Sequence, residues 1–248
     1  MYAKFFKRTI DFVASFVTLL ILSPIFLILM VIGAIAMKGN PFFTQLRPGK
    51  IGRNGREKIF RLIKFRTMSN AKDKNGNLLP DDQRLNKYGK FLRSTSMDEL
   101  PSLVNIMIGD LSIVGPRPQL VRDMTFMSAE QRRRHSVRPG LTGLAQVNGR
   151  NNITWEKKFE YDLQYIDSGI TFIGDTKIVL QTVGKVLKRS DTVREGTVSD
   201  MDFGDWLMEQ NKIDKSTYDE KQEQARKLLG ARNGRKQIFC CYVCLRFG

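Results

Sequence analysis

The sequence predicts a mixed α/β protein that is mostly helical, in which an N-terminal re-entrant membrane helix hairpin precedes one compact domain with a small sheet. Three observations lead to this class. An uncharged apolar run covers residues 12–37, basic residues flank it on both sides, and short helical and strand-like patterns follow it. The 248 residues suit one domain with appendages, and 42% hydrophobic content excludes a chain that is disordered as a whole.

The charge distribution favours a membrane surface over a soluble nucleic-acid binder. The net charge is +16, and residues 1–66 hold 12 basic but only two acidic side chains. A soluble nucleic-acid binder needs positive charge but no long apolar run. A protein at an anionic membrane surface uses both, so we expect a membrane partner and no nucleic acid.

The apolar run has a break near its middle. Pro24 removes one backbone hydrogen bond, and the Ser23 hydroxyl can satisfy the freed group within a membrane. Each half is roughly 16–20 Å long, too short to cross a core of about 30 Å. Since both flanks are basic, both ends should face one leaflet. We expect residues 1–38 to form a re-entrant anchor, with a straight span or a signal peptide cleaved near Ala34-Ile35-Ala36 as alternatives.

Beyond the anchor, the patterns predict one domain over residues 39–200 and a charged helix with a tail over 201–248. Gly and Pro punctuate residues 38–55, a polar segment with the turn signal Asn75-Gly76 predicts a surface loop at 69–86, and Gly and Pro predict a loop at 137–146. A β-prone run predicts a strand at 59–67. Helical patterns cover residues 85–92, 99–108, 123–135, 155–166, 177–187 and 205–229. The four basic residues 132–135 are expected on a solvated helix end.

Two adjacent carboxylates, Asp98 and Glu99, begin the second of these helices. The helix dipole favours acids at this place and keeps them ionised. Ser96-x-x-Glu99 also matches a capping box, in which Glu99 only holds the helix start. The pattern alone leaves both catalysis and capping open.

Three groups of residues could bind an anion. Alternation along the strand places Lys64 and Arg66 on one face. They could bind one anionic group together, or they could be solvated charges on an edge strand. Arg117 lies between two prolines, so it is either a rigidly placed phosphate ligand or an exposed residue of a stiff turn. The glycine-rich loop at 138–146 lets backbone N–H groups approach an anion, which is weak evidence by itself.

Together these patterns suit phosphoryl transfer on a polyanion. His135 is the single histidine, so a multi-histidine metal site is excluded. Carboxylates and substrate phosphates can hold a hard cation such as Mg²⁺, and an Asp can act as nucleophile through an acyl phosphate. All three cysteines lie in the last nine residues, which fits a reduced, cytoplasmic setting for the main body.

Seven motifs occur in the order and spacing of a known family. They are Lys7-Arg8-x-x-Asp11, Ser23-Pro24, Phe43-x-Gln45-x-Arg47-x-Gly49, Lys64-Phe65-Arg66-Thr67-Met68, Asp98-Glu99-Leu100-Pro101 with Asn105, Gly109-Asp110-x-Ser112-x-Val114-Gly115-Pro116-Arg117-Pro118, and Arg138-Pro139-Gly140-x-Thr142-Gly143. On these motifs the sequence resembles the bacterial sugar transferases, the monotopic polyprenol-phosphate phosphoglycosyl transferases, from about residue 7 to 192. It departs from the family's commonest pattern at Ser102, because Gln usually follows the motif Asp98-Glu99-Leu100-Pro101.

The resemblance implies Mg²⁺-dependent transfer of a sugar phosphate from a nucleotide diphosphate sugar, usually a UDP-sugar, to undecaprenyl phosphate, with release of UMP. Asp98 would attack the sugar-bearing phosphate and form a covalent intermediate, and Glu99, beside Asp98, would hold the metal. Arg93 would bind the lipid phosphate, and Lys64, Arg66 and Arg117 would bind the diphosphate. The loop that contains Arg138, Thr142 and Gln146 would face the nucleotide.

The resemblance also implies a hairpin broken at Ser23-Pro24 and a catalytic domain that faces the cytoplasm at the bacterial inner membrane. The product would pass to later glycosyltransferases of a capsule, O-antigen, exopolysaccharide or glycoprotein pathway. No motif selects the sugar, the pathway or the oligomeric state.

Two other functions are compatible with parts of the sequence. A membrane-tethered binding module for nucleic acid or acidic lipid would use the charge and the anchor, but it leaves the paired acids unexplained. A transferase that attaches a bare sugar would release UDP instead of UMP. The tail is open as well: Cys240 or Cys241 could carry a lipid, Cys241-x-x-Cys244 has metal-ligand spacing, and the terminus could be extraneous.

Overall fold

The computed structural model describes residues 1–149, 153–188 and 201–244, and it shows a mostly helical chain. The helices are α1 (Lys7–Ile21), α2 (Ser23–Ala36), α3 (Asp81–Arg84), α4 (Lys87–Thr95), α5 (Ser102–Ile108), α6 (Val121–Phe126), α7 (Ala129–Arg132), α8 (Leu144–Val147), α9 (Trp155–Asp167), α10 (Phe172–Lys188), α11 (Phe203–Glu209) and α12 (Lys215–Cys244). The strands are β1 (Phe42–Ile51), β2 (Glu57–Phe65), β3 (Ser112–Val114) and β4 (Gly140–Thr142). A π-helical turn covers Tyr2–Phe6, and 3-10 turns cover Met97–Glu99 and Arg133–Ser136.

The apolar run forms two helices that meet at an angle. α1 and α2 are bent by 67° across Leu22, and the Ser23 hydroxyl donates to the Leu20 carbonyl at 2.8 Å. That carbonyl is the one that Pro24, lacking an N–H, leaves without its helical donor. In the described chain neither helix is long enough to cross a bilayer alone, whereas the pair has the length and composition of a broken span or a re-entrant loop.

Polar side chains join α1 to the rest of the molecule. The buried Asp11 carboxylate accepts from the Ser112 hydroxyl at 2.6 Å and from the Ile113 N–H at 3.1 Å, which ties α1 to β3. Arg8 donates to the Met107 carbonyl at 2.6 Å, at the C-terminal end of α5. These bonds hold α1 against α5 and β3.

The described strands form two small sheets. β1 and β2 pair as an antiparallel hairpin with Phe43 opposite Lys64, and β3 and β4 pair in parallel. The segment 38–55, punctuated by Gly and Pro and assigned no element from the sequence, therefore contains β1. Its Gly and Pro are accommodated because the register shifts between Pro48 and Ile51, and proline is tolerated beside such an irregularity.

Two predicted helices are divided in the structure. The 123–135 pattern breaks because Ser128 accepts from the Gln131 N–H and starts a new helix, and a 3-10 turn then rotates the next residues inward. Arg134 is 1% exposed and His135 is 4% exposed, so the expectation of a solvated face is wrong for both. The 205–229 pattern breaks because Asp214 accepts from the Thr217 N–H and begins α12.

The C-terminal helices pack on the domain over part of their length. Phe203 is buried against Trp155 and Phe159, and Ala225 of α12 is also buried. The predictions for Cys240, Cys241 and Cys244 lie outside the residues whose side chains the structure describes.

Candidate active site

The paired acids lie on a tight turn between two helices. Asp98 and Glu99 occupy the 3-10 turn Met97–Glu99, which follows α4 and precedes α5. Ser96, at the junction, has φ of +56°, a left-handed conformation that non-glycine residues adopt at a cost. The Ser96 side chain makes no capping hydrogen bond in the described structure, so the capping-box interpretation of Glu99 is wrong.

Side chains of α5 hold the turn against β2. The Asn105 amide accepts from the Ile63 N–H at 3.0 Å and donates to the Arg61 carbonyl at 2.8 Å. The Ser102 hydroxyl donates to the Ile63 carbonyl at 2.7 Å, so the residue that departs from the family pattern is part of the same contact. This register of α5 on β2 brings Glu99 next to Lys64.

Two cations meet the Glu99 carboxylate. Lys64 Nζ lies 2.5 Å from Glu99 Oε1 and 3.8 Å from Asp98 Oδ2, and Arg117 Nη2 lies 3.1 Å from the same Glu99 oxygen. The Asp98 and Glu99 side chains are 16% and 12% exposed, so these ion pairs are only partly screened by water. The structure thus joins four of the residues that the sequence selected.

Arg93 lies on the other side of Asp98. Its Nε donates to the Thr67 hydroxyl at 3.1 Å, which directs the guanidinium from α4. Burial lowers the pKa of Arg93, and the negative charge of Asp98 opposes this shift. Arg93 is therefore within electrostatic reach of Asp98, as the lipid-phosphate assignment requires.

Arg47 is a further cation of this site whose role the sequence did not reveal. It lines a small cavity together with Lys64, Glu99 and Arg117, and its guanidinium donates to the Gln45 side chain at 2.6 Å. Burial first, and then the positive charge of Arg117, lower the pKa of Arg47 to about 10, so it remains charged at neutral pH. Arg47 belongs to the motif Phe43-x-Gln45-x-Arg47-x-Gly49, which could have marked it as a candidate, but the motif does not show which residues Arg47 contacts.

A buried ion pair holds the backbone of Arg117. Arg134 Nη2 donates to the Arg117 carbonyl at 2.7 Å and lies 2.6 Å from Asp162 Oδ2. Burial raises the pKa of Asp162 to about 6, and the charge of Arg134 opposes the shift. Together with the prolines on either side, this contact places the Arg117 guanidinium at Glu99 in one orientation.

Two predicted ligands form no hydrogen bond or ion pair with the acids in the part of the chain that the structure describes. Arg66 follows the end of β2, and its backbone N–H donates to the Pro41 carbonyl at 2.7 Å. Arg138 Nε donates to the Gly109 carbonyl at 3.0 Å, and Arg138 lines a separate cavity with Arg8 and Asp11. The observed ion pairs of the acids therefore come from Lys64 and Arg117.

The glycines of the 138–146 loop serve close backbone packing. A Cβ on Gly140 would lie 2.1 Å from the Gly115 nitrogen, and one on Gly143 would lie 2.1 Å from the Gly115 oxygen. The Gly140 N–H donates to the Pro116 carbonyl at 2.9 Å. The expectation that these glycines open N–H groups to an anion is thus wrong for Gly140, because that donor is used inside the fold.

Comparison with known proteins assigns the family. The model of the family described as "Bacterial sugar transferase" matches residues 2–189. Sugar transferase EpsL of Bacillus subtilis, whose name marks it as uncharacterized, is 50% identical over 73% of this chain and 87% of its own.

The chain belongs to the bacterial sugar transferase family.

Two further relatives of this sugar transferase have more specific names. The UDP-glucose:undecaprenyl-phosphate glucose-1-phosphate transferase of Klebsiella pneumoniae is 40% identical over 73% of this chain, but the match covers only 40% of that longer protein. The exopolysaccharide production protein ExoY of Rhizobium meliloti is 34% identical over 73% of this chain and 84% of its own.

A larger cavity opens beside the acids of this sugar transferase. It has a volume of about 370 Å³, within the range of small-molecule sites, and Glu99 and Arg117 lie in its wall. Thr142 and Gln146, the two remaining predicted ligands, also line it. The site thus combines a charged cluster with an adjoining cavity.

Proposed function

We propose that this sugar transferase moves a sugar 1-phosphate from a UDP-sugar to undecaprenyl phosphate and releases UMP. The observation that carries the proposal is the pair of adjacent carboxylates with Lys64, Arg117, Arg93 and Arg47 around it. Four cations at two acids suit a reaction between anionic phosphates, because they offset the repulsion between substrate and nucleophile. The name of the Klebsiella relative supports the same substrates.

The proposed chemistry proceeds in two displacements at one phosphorus. A carboxylate oxygen of Asp98 attacks the phosphorus that carries the sugar, and the bond from that phosphorus to the bridging oxygen breaks, so the electron pair leaves with UMP. An oxygen of undecaprenyl phosphate then attacks the same phosphorus and expels Asp98 as a free carboxylate. Splitting the transfer in this way lets Asp98 serve both half-reactions.

The residues present fit a magnesium ion. Mg²⁺ is usually held by one or two carboxylates plus substrate phosphates, and Glu99 with Asp98 supplies such a pair. No group of three or more His, Cys, Asp or Glu side chains occurs at metal-binding spacing in residues 1–149, 153–188 and 201–244. Substrate phosphates and water would therefore supply the other ligands. When bound, the ion would neutralise charge that develops on the phosphates. Lys64, now 2.5 Å from Glu99, would turn toward the diphosphate.

We also propose that the hairpin lies in the cytoplasmic leaflet of a bacterial inner membrane. Large apolar side chains on the outer faces of α1 and α2 are exposed, including Phe16, Leu20, Ile28 and Ile35. A lipid phosphate and a soluble nucleotide sugar can then meet at the membrane surface while most of the lipid chain stays in the bilayer. The product would enter polysaccharide assembly, where later glycosyltransferases extend it.

The topology proposal predicts that both ends of the hairpin are cytoplasmic. Cysteines introduced before Lys7 and after Lys38 should resist a membrane-impermeant thiol reagent in intact cells and react after permeabilisation. A chain with the native tail cysteines replaced serves as the background. Labelling of either position in intact cells would support a straight span and contradict the hairpin.

The proposed function is tested by nucleotide release. Purified enzyme in detergent should release UMP from at least one member of a panel of UDP-sugars, in a reaction that needs both undecaprenyl phosphate and Mg²⁺. Release of UDP from the same panel would favour transfer of the bare sugar. No nucleotide release from any UDP-sugar would favour the binding-module alternative.

The buried pair behind Arg117 is expected to position that residue for the donor. Replacing Arg134 by Lys retains a cation but not the planar donor, so the KM for the UDP-sugar should rise about tenfold. Asp162→Asn should act in the same direction, because breaking a buried pair leaves an uncompensated charge. Arg133→Lys, at a neighbouring exposed residue, is the control. If both variants lose only thermal stability and keep the donor KM, the positioning role is wrong.

A further inference from the structure

The 370 Å³ cavity beside Glu99 has walls of two kinds. Its charged lining residues are Glu99 and Arg117, which contact each other at 3.1 Å, and Lys185 of α10. The rest of the wall is mostly apolar and comes from α1, α5, α8, α10 and the strands β3 and β4. The apolar side chains that line it are Leu100, Leu103, Ile113, Leu141, Val147, Val179, Val183 and Val186.

The polar side chains of the apolar part are mostly engaged within the fold. The Thr142 and Thr182 hydroxyls lie 2.7 Å apart, and Thr182 also donates to the Ile178 carbonyl at 2.8 Å. Gln146 Nε2 donates to the Leu141 carbonyl at 3.0 Å, whereas Gln146 Oε1 is buried and has no hydrogen-bond partner among the described residues. Apart from that one acceptor, this wall offers little to the hydroxyls of a sugar or ribose, which need hydrogen-bond partners when buried.

The cavity adjoins the surface that we assign to the membrane. Thr18 of the hairpin helix α1 and Val183 of α10 both line it, and both are exposed on their outer sides. Next to them lie the exposed apolar side chains of Val17 and Leu180. An apolar path thus leads from the bilayer to the acids.

We propose that this cavity receives the first isoprene units of the lipid acceptor, with the acceptor phosphate entering the Glu99–Arg117 end after UMP has left it. The proposal rests on the proposed function, because it names where the lipid half of that reaction binds. The phosphate cannot reach Asp98 unless the attached apolar chain leaves the bilayer with it. Exposing that chain to water would cost roughly 25 cal/mol per Å², and the apolar wall removes this cost.

Filling the cavity tests the proposal kinetically. Val183→Trp, and independently Val179→Phe from a more interior position, should raise the KM for undecaprenyl phosphate at least about tenfold and change the KM for the UDP-sugar less than about twofold. Ile173→Trp is the matched control, since Ile173 lies on the same helix, is 80% exposed and does not line the cavity. An increase confined to the donor KM, or no change in either KM in both folded variants, would overturn the proposal.

A photo-cross-linking experiment tests lipid binding in the cavity independently of the proposed reaction. A polyprenyl phosphate with a diazirine in its first isoprene unit should label α10 in the wild-type protein, with the label lost in Val183→Trp and kept in Ile173→Trp. Label found only on the outer face of the hairpin would place the chain in the bilayer and contradict the cavity. This readout needs no turnover, so it decides the proposal even if the wild type releases no nucleotide, a result that would contradict the proposed function alone.

Discussion

Asp98→Asn is expected to abolish both turnover and the covalent enzyme intermediate. The amide has nearly the shape of the carboxylate but lacks its charge and nucleophilic oxygen, so the rate should fall by at least about 10⁴-fold. The side chain is 16% exposed on a surface turn, and its replacement should leave the fold intact. UMP release measures turnover, and mass spectrometry of the protein after incubation with UDP-sugar alone detects the intermediate.

Asp82→Asn is the matched control for this prediction, because Asp82 is exposed on α3 and lies outside the site. The control should keep wild-type turnover and mass shift. An undiminished rate in the folded Asp98→Asn protein, or a sugar-phosphate adduct that persists there, would reject Asp98 as the nucleophile.

Glu99→Gln is expected to lower the rate about 10²–10³-fold and to move the Mg²⁺ titration to higher concentration. The substitution removes the charge that Lys64 and Arg117 share at 2.5 and 3.1 Å, and it replaces a hard anionic ligand by a weaker neutral one. Initial rates of UMP release over a range of Mg²⁺ concentrations measure both effects.

Glu130→Gln serves as the control for that series, since Glu130 is exposed on α7 and pairs with Arg133. A rate and a Mg²⁺ midpoint that both equal the wild-type values would show that Glu99 holds no metal and makes no contact needed in the transition state.

Features that depend on neighbouring residues in the chain could be predicted from the sequence. The break at Pro24 and the use of the Ser23 hydroxyl follow from local backbone chemistry, and the structure shows that hydroxyl on the Leu20 carbonyl. The strand at 59–67 is observed as β2, displaced by two residues, because its β-branched and aromatic residues favour that state.

Features that depend on distant residues could not be predicted. β1 is stabilised by its pairing with β2, whereas its own residues, punctuated by Gly and Pro, carry no clear strand pattern. From the sequence alone, Glu99 fits both a helix cap and a site residue. Only the fold brings it into contact with Lys64, 35 residues earlier, and with Arg117, 18 residues later. Arg134 follows two exposed arginines, and only a change of helix type turns it inward to Arg117.

The candidate site also contains both residues whose place the sequence predicts and residues whose place only the fold decides. The motifs selected Lys64, Arg93, Asp98, Glu99 and Arg117, which the structure places around one turn. They also selected Arg138, whose guanidinium is used at Gly109. A basic residue beside glycines has the same local pattern in both situations, so only the fold distinguishes a substrate ligand from a structural contact.

The fate of the sugar-bearing phosphate tests the account most directly. A UDP-sugar radiolabelled at that phosphate is incubated with enzyme, Mg²⁺ and undecaprenyl phosphate, and the lipid and nucleotide fractions are then separated. The account predicts label in the lipid fraction and unlabelled UMP in the aqueous one. Label retained in UDP, with sugar but no radioactive phosphate on the lipid, would contradict sugar-phosphate transfer.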